Sequence, residues 1–473
     1  GEMASGKSVH PKSTLMVLMN NIPKVLTIEE LWNILRNRAP IIKRGGIEYI
    51  ELSNIDIKVL AINKSKAVWA RPSYIIRHKS PEKLVKIKLS SGREIIVTQD
   101  HSLIVMDSSK RLRIAKPLDI RDNEYLIGTS SIEIPKVDKN IVMKLLVESL
   151  NKQGISLHKK SFEKELERHR VINEYNELYI VDRDTDTYIP LESLLRPEFG
   201  YLLGYFITHS HSYDVSILEV ERQELRQYLE QLLKDLGFRY SINTLKSLNN
   251  TISKLLKVFL VVNGSNKRLS DIAWTMGKEW IASLLLGVID SNSYVDKDCI
   301  KIELRENELL HELLYAFSIL NIYPSVELKR NIPHEKYVLS IPLHQIEKFN
   351  NCLPKALYSR ISKLIKEQNN TYRTSGSNDI VLEKVKSIEI TESDVDYVYD
   401  IEVPNLENFE INTVFVHNTT LLNALASMLP PSWKIVTIED TPELRLPHIG
   451  WKPLVARHVY SLAEAKTEIG LFD

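Results

Sequence analysis

The first eight residues constrain this chain most. GEMASGKS (Gly1–Ser8) matches the pattern G-x-x-x-x-G-K-S/T, in which the backbone amides of a glycine-rich loop cradle phosphates. Such a loop has to feed a helix, because the helix N-terminus supplies further amides and the positive end of the macrodipole. Here it feeds VHPKST (Val9–Thr14). Pro11 falls beyond the first helical position, where proline is tolerated, and the residues after it are poor helix formers. The motif is present, but its context is wrong.

Joining Lys7 to Thr419 supplies the context. The joined sequence reads GEMASGK-TTLLNALASML, a loop running into a Leu/Ala-rich helix that Pro430 and Pro431 stop. KIVTIED (Lys434–Asp440) then reads as a buried strand. The break falls between the lysine and the hydroxyl residue of one motif, so residues 8–418 read as an insertion. The joined flanks resemble the secretion, pilus and archaellum assembly ATPases. GEMASGK with Thr419 and Thr420 corresponds to their Walker A loop. The resemblance implies Gly1, Gly6, Lys7, Thr419 and Thr420 as the phosphate-binding set once joined, with ATP and Mg as ligands and an oligomeric assembly. KIVTIEDTPELRLPH (Lys434–His448) resembles their acidic segment, with Glu439 at the position expected to polarise the attacking water. The strand before the loop and a Walker B strand are missing from the sequence, so this chain is not expected to hydrolyse ATP as it stands.

Length and composition leave room for this division. A chain of 473 residues exceeds one ordinary core and is expected to form two to four domains. Its 43% hydrophobic and 26% charged residues are those of a soluble globular protein. A net charge of +1 gives no general attraction to nucleic acid or membrane, so any DNA contact has to come from a local patch. Two cysteines, Cys299 and Cys352, make neither a disulfide framework nor a zinc spacing. No run of eighteen apolar residues is present and no membrane span is expected. The start at Gly1, with no Met and no signal peptide, is expected of a fragment of a longer, cytoplasmic product.

Local signals place the elements. Thr27 with Glu30 forms a capping box opening a helix through Leu35. LVKIKLS (Leu84–Ser90) alternates, turns at Ser91-Gly92 and returns as REIIVT, a β-hairpin. Residues 136–200 are highly charged, without a clear period over their first half. YLLGYFITHS (Tyr201–Ser210) and ASLLLGVIDSNS (Ala282–Ser293) are apolar segments that form a weak repeat, with Gly204 matching Gly287. ENELLHELLYAFSIL reads as a helix ending before Pro324, Glu367–Asp379 as a linker, and Val381–Ile390 as a strand.

Val416-His417-Asn418-Thr419 carries chemistry. An Asn side-chain amide can attack its own backbone carbonyl and cut the bond to the next residue, and a preceding His can supply the proton the departing amine needs. Ser8 opens the segment, Thr98-Gln99-Asp100-His101 ends the hairpin, and Asp400 sits in VYDIEV. Together these resemble the blocks of inteins, which are built on the Hint fold. The blocks are a first-position nucleophile, T-x-x-H, Y-D, and hydrophobic-H-N before Ser, Thr or Cys. The resemblance implies that Ser8 attacks the Lys7 carbonyl and that His101 protonates the Ser8 nitrogen. Thr98 orients His101 or hydrogen-bonds the Lys7–Ser8 peptide. Thr419 takes over the upstream segment, with Asp400 accepting or steering its proton, and Asn418 cyclises with help from His417. Many members begin with Cys where this chain has Ser8. The family often has His seven residues after the block aspartate, where this chain has Glu407.

LLGYFITHS and LLLGVIDSNS resemble the paired signature helices of LAGLIDADG homing endonucleases. That family places a metal-binding carboxylate where this chain has His209 and Asn292. Asp290 matches an earlier acidic position that caps the helix end. A hard Mg²⁺ ion prefers anionic oxygen, so the endonuclease is expected to be inactive, with Mg required only if it is not. DNA binding has little support.

The expected architecture is a β-rich, horseshoe-like Hint splicing domain split by an α+β LAGLIDADG-type domain, with short α/β P-loop ATPase fragments at both ends. The expected boundaries are 1–7 for the upstream host segment, 8–133 for the first Hint part and 134–380 for the inserted domain and linkers. The second Hint part follows at 381–418 and the downstream host segment at 419–473. Splicing needs no cofactor, and its partners are the chain's own flanks. The alternatives are a P-loop NTPase using GEMASGKS directly and an active homing endonuclease.

Overall fold

The computed structural model describes residues 7–44, 46–109, 111–159, 178–182, 187–209, 223–238, 250–263, 266–304, 307–331, 334–353, 380–417, 432–439 and 450–455. The loop Gly1–Gly6, Asn418 to Pro430 and the linker expected at Glu367–Asp379 lie outside these residues.

The N-terminal part builds what its local chemistry dictates. The strands Thr14–Met19 and Ile22–Thr27 pair antiparallel through a turn in which Asn20 and Asn21 both have positive φ. The helix Ile28–Leu35 starts at the expected box: Glu30 N–H donates to Thr27 Oγ1 at 3.2 Å and Thr27 N–H to Glu30 Oε2 at 2.9 Å. The expected hairpin joins Lys83–Leu89 to Glu94–Thr98. Gly92 turns it at φ 84°, and a Cβ there would lie 1.7 Å from the Val326 carbonyl oxygen. Glycine is therefore required both by the turn and by the segment packed on it.

The largest sheet interleaves distant parts of the chain. Its order is Leu112–Ala115, Leu103–Met106, Val414–His417, Tyr125–Thr129, Ile380–Glu392, Lys83–Leu89 and Glu94–Thr98, with Asn408–Ile411 paired to Val414–His417. Every pairing in it is antiparallel. A second sheet runs Tyr397–Glu402, Tyr74–Lys79, Ile47–Glu51 and Ile42–Arg44. Leu15, Val17, Trp32, Val97, Leu103, Tyr399 and Val416 lie in one shared core.

The region between Tyr125–Thr129 and Ile380–Glu392 has its own core, centred on the helices Pro197–His209 and Lys278–Asn292. They approach through glycine: a Cβ on Gly204 would lie 1.9 Å from the Leu284 carbonyl oxygen, and one on Gly287 2.1 Å from that of Tyr201. The second helix is followed by strands Ser293–Asp296 and Cys299–Leu304 and by the helix Asn307–Ile319. The counterpart of those strands after the first helix lies outside the described residues.

Two local expectations are corrected. Residues 139–152, which showed no clear period, form a helix burying Val142, Met143, Leu146 and Leu150. Apolar residues at 141–143 and 145–147 run around most of the helix, so no single stripe of helical period stands out in the sequence. KIVTIED is a strand (Ile435–Glu439) but not a buried one: Val436 is 57% exposed. It pairs parallel with Trp451–Val455, and neither strand joins a core cluster among the described residues. Cys352 is buried and Cys299 partly so, and both are free thiols. Among the described residues no helix is long and apolar enough to cross a membrane.

The two cores meet across a polar seam. Met16, Val25 and Leu60 pack into the second core, although their strands belong to the first part of the chain. Buried Arg93 donates from Nε to Thr413 Oγ1 at 2.7 Å and from Nη1 to the Pro324 carbonyl at 2.8 Å, and lies 3.7 Å over the Tyr323 ring. The Tyr323 hydroxyl donates to Glu383 Oε1 at 2.6 Å. A short loop from about Ser131 to about Val381 would close the gap cheaply, but it would strip these groups of their partners.

Glu410 sits in this seam. Tyr315 Oη lies 2.8 Å from Glu410 Oε1 and 2.9 Å from the Thr14 carbonyl oxygen, so one hydroxyl proton faces two acceptors. A protonated Glu410 completes the count by donating to Tyr315. Burial pushes its carboxyl up to about 8. A carboxyl raised in this way stabilises the fold fully below its ordinary range and loses that contribution as pH rises towards 8. The melting temperature of the parent should therefore fall relative to Glu410→Gln between pH 5 and 8, by on the order of a few kcal/mol in stability. Parallel profiles would show that Glu410 is ionised throughout. Gly204→Ala should lower stability by about 1–3 kcal/mol in denaturant melts, because the clash is with backbone. An unchanged midpoint would show that the helices can separate freely.

Candidate functional site

Ser8 is fixed by its neighbours. Val9 N–H donates to the Tyr399 carbonyl at 2.7 Å, and Tyr399 N–H returns a bond to the Val9 carbonyl at 3.0 Å. On the other side Val9 bridges Val97, Thr98 N–H donates to the Ser8 carbonyl at 2.9 Å, and His10 N–H to the Ile96 carbonyl at 3.0 Å. Residues 8–10 thus form a short extended segment between Glu94–Thr98 and Tyr397–Glu402. This pairing buries Ser8 and aims the amide of the Lys7–Ser8 bond at Thr98, whose Oγ1 accepts it at 3.0 Å.

The Ser8 hydroxyl faces a histidine that the sequence motifs did not include. Ser8 Oγ lies 2.9 Å from His78 Nε2, and His78 Nδ1 lies 2.8 Å from the Lys79 carbonyl oxygen. His78 is on the strand Tyr74–Lys79, where side chains alternate. Its neighbour Arg77 takes the opposite face, stacking on Trp32 and Tyr397 and pairing with Glu48 at 2.6 Å. Seventy residues separate His78 from Ser8. The alternation of YIIRHK marks a strand but not its partner, so the pairing had no readable sequence signal.

His101 closes the turn after Thr98 by donating its N–H to the Thr98 carbonyl at 3.0 Å. Its ring is fully buried, and neither ring nitrogen has a hydrogen-bond partner among the described residues. Burial pushes it down to about 3, and the charges of Lys7 and His417 add to the effect. The Lys7 ammonium therefore lies within electrostatic reach of both histidines.

His417 ends the strand Val414–His417. Val416 pairs with Leu103, and His417 N–H donates to the Ser102 carbonyl at 3.1 Å. The downstream end of the segment is thereby set beside the T-x-x-H turn. Burial lowers the His417 ring to about 4, with the Lys7 charge adding to it. Glu407, which stands where the resemblance expects a His, places Oε2 3.7 Å from His417 Nε2. That exceeds hydrogen-bond range, and Glu407 does not offset the burial.

Asp400 follows Tyr399, the residue paired with Val9, and lies opposite Ile76 on the strand that carries His78. It is buried, and its Oδ1 accepts from the Ile401 amide at 2.9 Å. Ser8, Thr98, His101 and His417 are thus brought together, with Asp400 on an adjoining strand. Asn418, Thr419, Thr420, Gly1 and Gly6 lie outside the described residues.

The inserted region looks different at its expected positions. Asn292 donates from Nδ2 to the Glu303 carbonyl at 2.6 Å. Asp290, expected to cap its helix, accepts from the Tyr201 hydroxyl at 2.6 Å across the helix pair. His209 ends its helix, and its side chain lies outside the described residues. Among the described residues no group of three or more His, Cys, Asp or Glu is arranged to hold a metal.

With both rings lowered by burial, His101 and His417 are neutral near pH 7. Their ring ¹⁵N shifts should remain those of neutral imidazole down to about pH 5, roughly a unit or more below the ordinary midpoint. A midpoint near the ordinary value for either ring would show that water reaches it.

Comparison with known proteins places the chain in a family. A family model described as "Intein splicing domain" matches residues 16–418. The chain is 24% identical over 379 residues to the DNA-directed RNA polymerase subunit Rpo1C of Methanocaldococcus jannaschii, covering 77% of this chain and 41% of that protein. It is 24% identical over 436 residues to a DNA polymerase of Thermococcus sp. (strain GE8), covering 87% of this chain and 23% of that one. The chain thus spans less than half the length of these curated relatives. Among solved structures, the transcription factor IIB Mvu mini-intein is 12% identical with a TM-score of 0.31, covering 87% of this chain and 100% of that one. An intein from a hyperthermophile is 19% identical with a TM-score of 0.24, covering 26% and 73%. The family match runs over most of the chain and ends at Asn418, and the chain belongs to the inteins, the elements that carry out autocatalytic protein splicing.

Proposed function

We propose that this intein excises itself between Lys7 and Thr419 and so rebuilds an ATP-binding loop in its host. The observation that carries the assignment is the placement of both ends at one turn. The Ser8 amide bonds Thr98 at 3.0 Å, and His417 bonds Ser102 at 3.1 Å.

The steps follow from the groups at hand. Ser8 Oγ bonds to the Lys7 carbonyl carbon, and the Lys7–Ser8 C–N bond breaks, turning an amide into an ester. Thr98 holds the scissile amide in place. His101 hands a proton to the Ser8 nitrogen; its rare imidazolium is a strong acid because burial disfavours it. Thr419 Oγ then attacks the ester carbon and displaces Ser8 Oγ, with Asp400 accepting or steering the Thr419 proton. The Asn418 side-chain nitrogen attacks its own carbonyl, the Asn418–Thr419 bond breaks, and His417 protonates the departing amine. The Thr419 nitrogen finally displaces its own oxygen and leaves a peptide bond. No cofactor enters.

The ligated host would read GEMASGKTTLLNA, a complete phosphate loop of the secretion, pilus or archaellum assembly type, which would bind ATP and Mg as an oligomer. The inserted region is proposed to be a degenerate LAGLIDADG endonuclease. The glycine-mediated approach of its helices supports the relationship. Asn292 offers a neutral amide tied to the backbone, and His209 offers no anionic oxygen, so the unmodified protein should not cleave DNA with Mg.

Mass spectrometry of the expressed chain over time tests the splicing assignment. The parent should yield the Ser8–Asn418 fragment and the ligated host peptide. Ser8→Ala should abolish ligation and leave cleavage after Asn418 alone, and Asn418→Ala should leave a branched or N-terminally cleaved species. Ligation by Ser8→Ala would remove Ser8 as the nucleophile, and junction peptides ending elsewhere would overturn the boundaries.

A further inference from the structure

Serine needs a partner that the intein motifs do not name. An alcohol is a weak nucleophile at neutral pH and is activated by an adjacent base. His101 is fully buried, and its ring is without a hydrogen bond among the described residues. His78 is half-buried and lies 2.9 Å from Ser8 Oγ through Nε2. We infer that His78 is the general base for the first acyl shift.

The tautomer follows from the second contact. A carbonyl oxygen can only accept, so the 2.8 Å approach of His78 Nδ1 to the Lys79 carbonyl places the proton on Nδ1. In the neutral ring Nε2 is then a lone-pair acceptor, and Ser8 Oγ–H donates to it. The Nδ1 bond holds the ring plane and stabilises the imidazolium that forms when the serine proton arrives. Three positions fix the pair: Val9 locked to Tyr399 on one side, His78 opposite Val398 on the neighbouring strand, and Arg77 anchored on the far face.

The proton count closes. Ser8 Oγ loses its proton to His78 Nε2 as it bonds to the Lys7 carbonyl carbon. The C–N bond breaks, and the Ser8 nitrogen gains a proton from the His101 side. The products are an ester, a free amine and a His78 imidazolium, which releases its proton to solvent as His101 regains one. Base and acid thus occupy different environments, His78 half-buried and His101 buried, and the net change is one proton moved from Ser8 Oγ to the Ser8 nitrogen.

The inference rests on Ser8 as nucleophile, and the test separates the two. Hydroxylamine cleaves the ester, and in a full-length Thr419→Ala background, where no second ester can form, it reports the first step alone. His78→Gln should slow trapped cleavage after Lys7 by roughly 10²-fold or more, while cleavage after Asn418 continues. In a Ser8→Cys background the same substitution should cost far less, because a thiol ionises near neutrality unaided. Equal slowing in both backgrounds would make His78 a structural strut and overturn the inference, as would an unchanged rate in His78→Gln. If Ser8→Ala itself still yields trapped cleavage, the nucleophile assignment falls; if Ser8→Ala is silent and His78→Gln is not, only the base falls.

Discussion

The pairing of Val9 between two strands holds the rest of the site in place. Its two bonds to Tyr399 and its bridge to Val97 turn a segment that follows a glycine-rich loop motif into sheet. Side chains alternate along an extended chain, so fixing Val9 in the core fixes Ser8 one step before it. The Ser8 amide then has to meet Thr98 and its hydroxyl has to meet His78. Backbone hydrogen bonds, which are hard to leave unmade in a buried setting, thereby aim the buried Ser8 side chain.

What was legible in the sequence was local or chemical. The capping box, the Ser91-Gly92 hairpin and the long strand near Val381 each announce themselves within a few residues. Thr98, His101 and His417 were legible as motif members. His78 was not, because its role comes from a register between strands seventy residues apart. The helix at 139–152 was hidden because apolar residues around most of its circumference blur the helical period, and the Ile435–Glu439 strand looked buried because apolar composition does not say whether a covering layer is there. Glu407 stood out as a departure, but only the structure shows its carboxylate stopping 3.7 Å short of His417.

The polar seam links the region between Thr129 and Ile380 to the strands that end at Thr98 and His417. Arg93 directly precedes the strand that ends at Thr98, Glu410 lies on the strand before the turn, and Thr413 sits in the turn that leads into the strand ending at His417. Thr413 takes φ 63°, an unfavourable conformation for a β-branched residue. Arg93 binds its hydroxyl at 2.7 Å and Glu410 its amide, while Tyr315 and Tyr323 of the inserted region pack behind both. The turn is held by groups from three segments, so its strain is offset by contacts far from it in sequence.

The interleaving of the largest sheet has a consequence in time. Translation proceeds from the N-terminus, so Ser8 emerges long before Tyr399, the residue that Val9 pairs with, and before Val416, which pairs with Leu103. Contacts of such separation form late, after the loop between them has closed. Until then the upstream junction is an ordinary peptide bond beside an unplaced serine. On the splicing proposed above, the strand order acts as a delay line, in which the first bond to be attacked is armed only by strands made after the region between Thr129 and Ile380, and a half-made chain is protected from cutting itself.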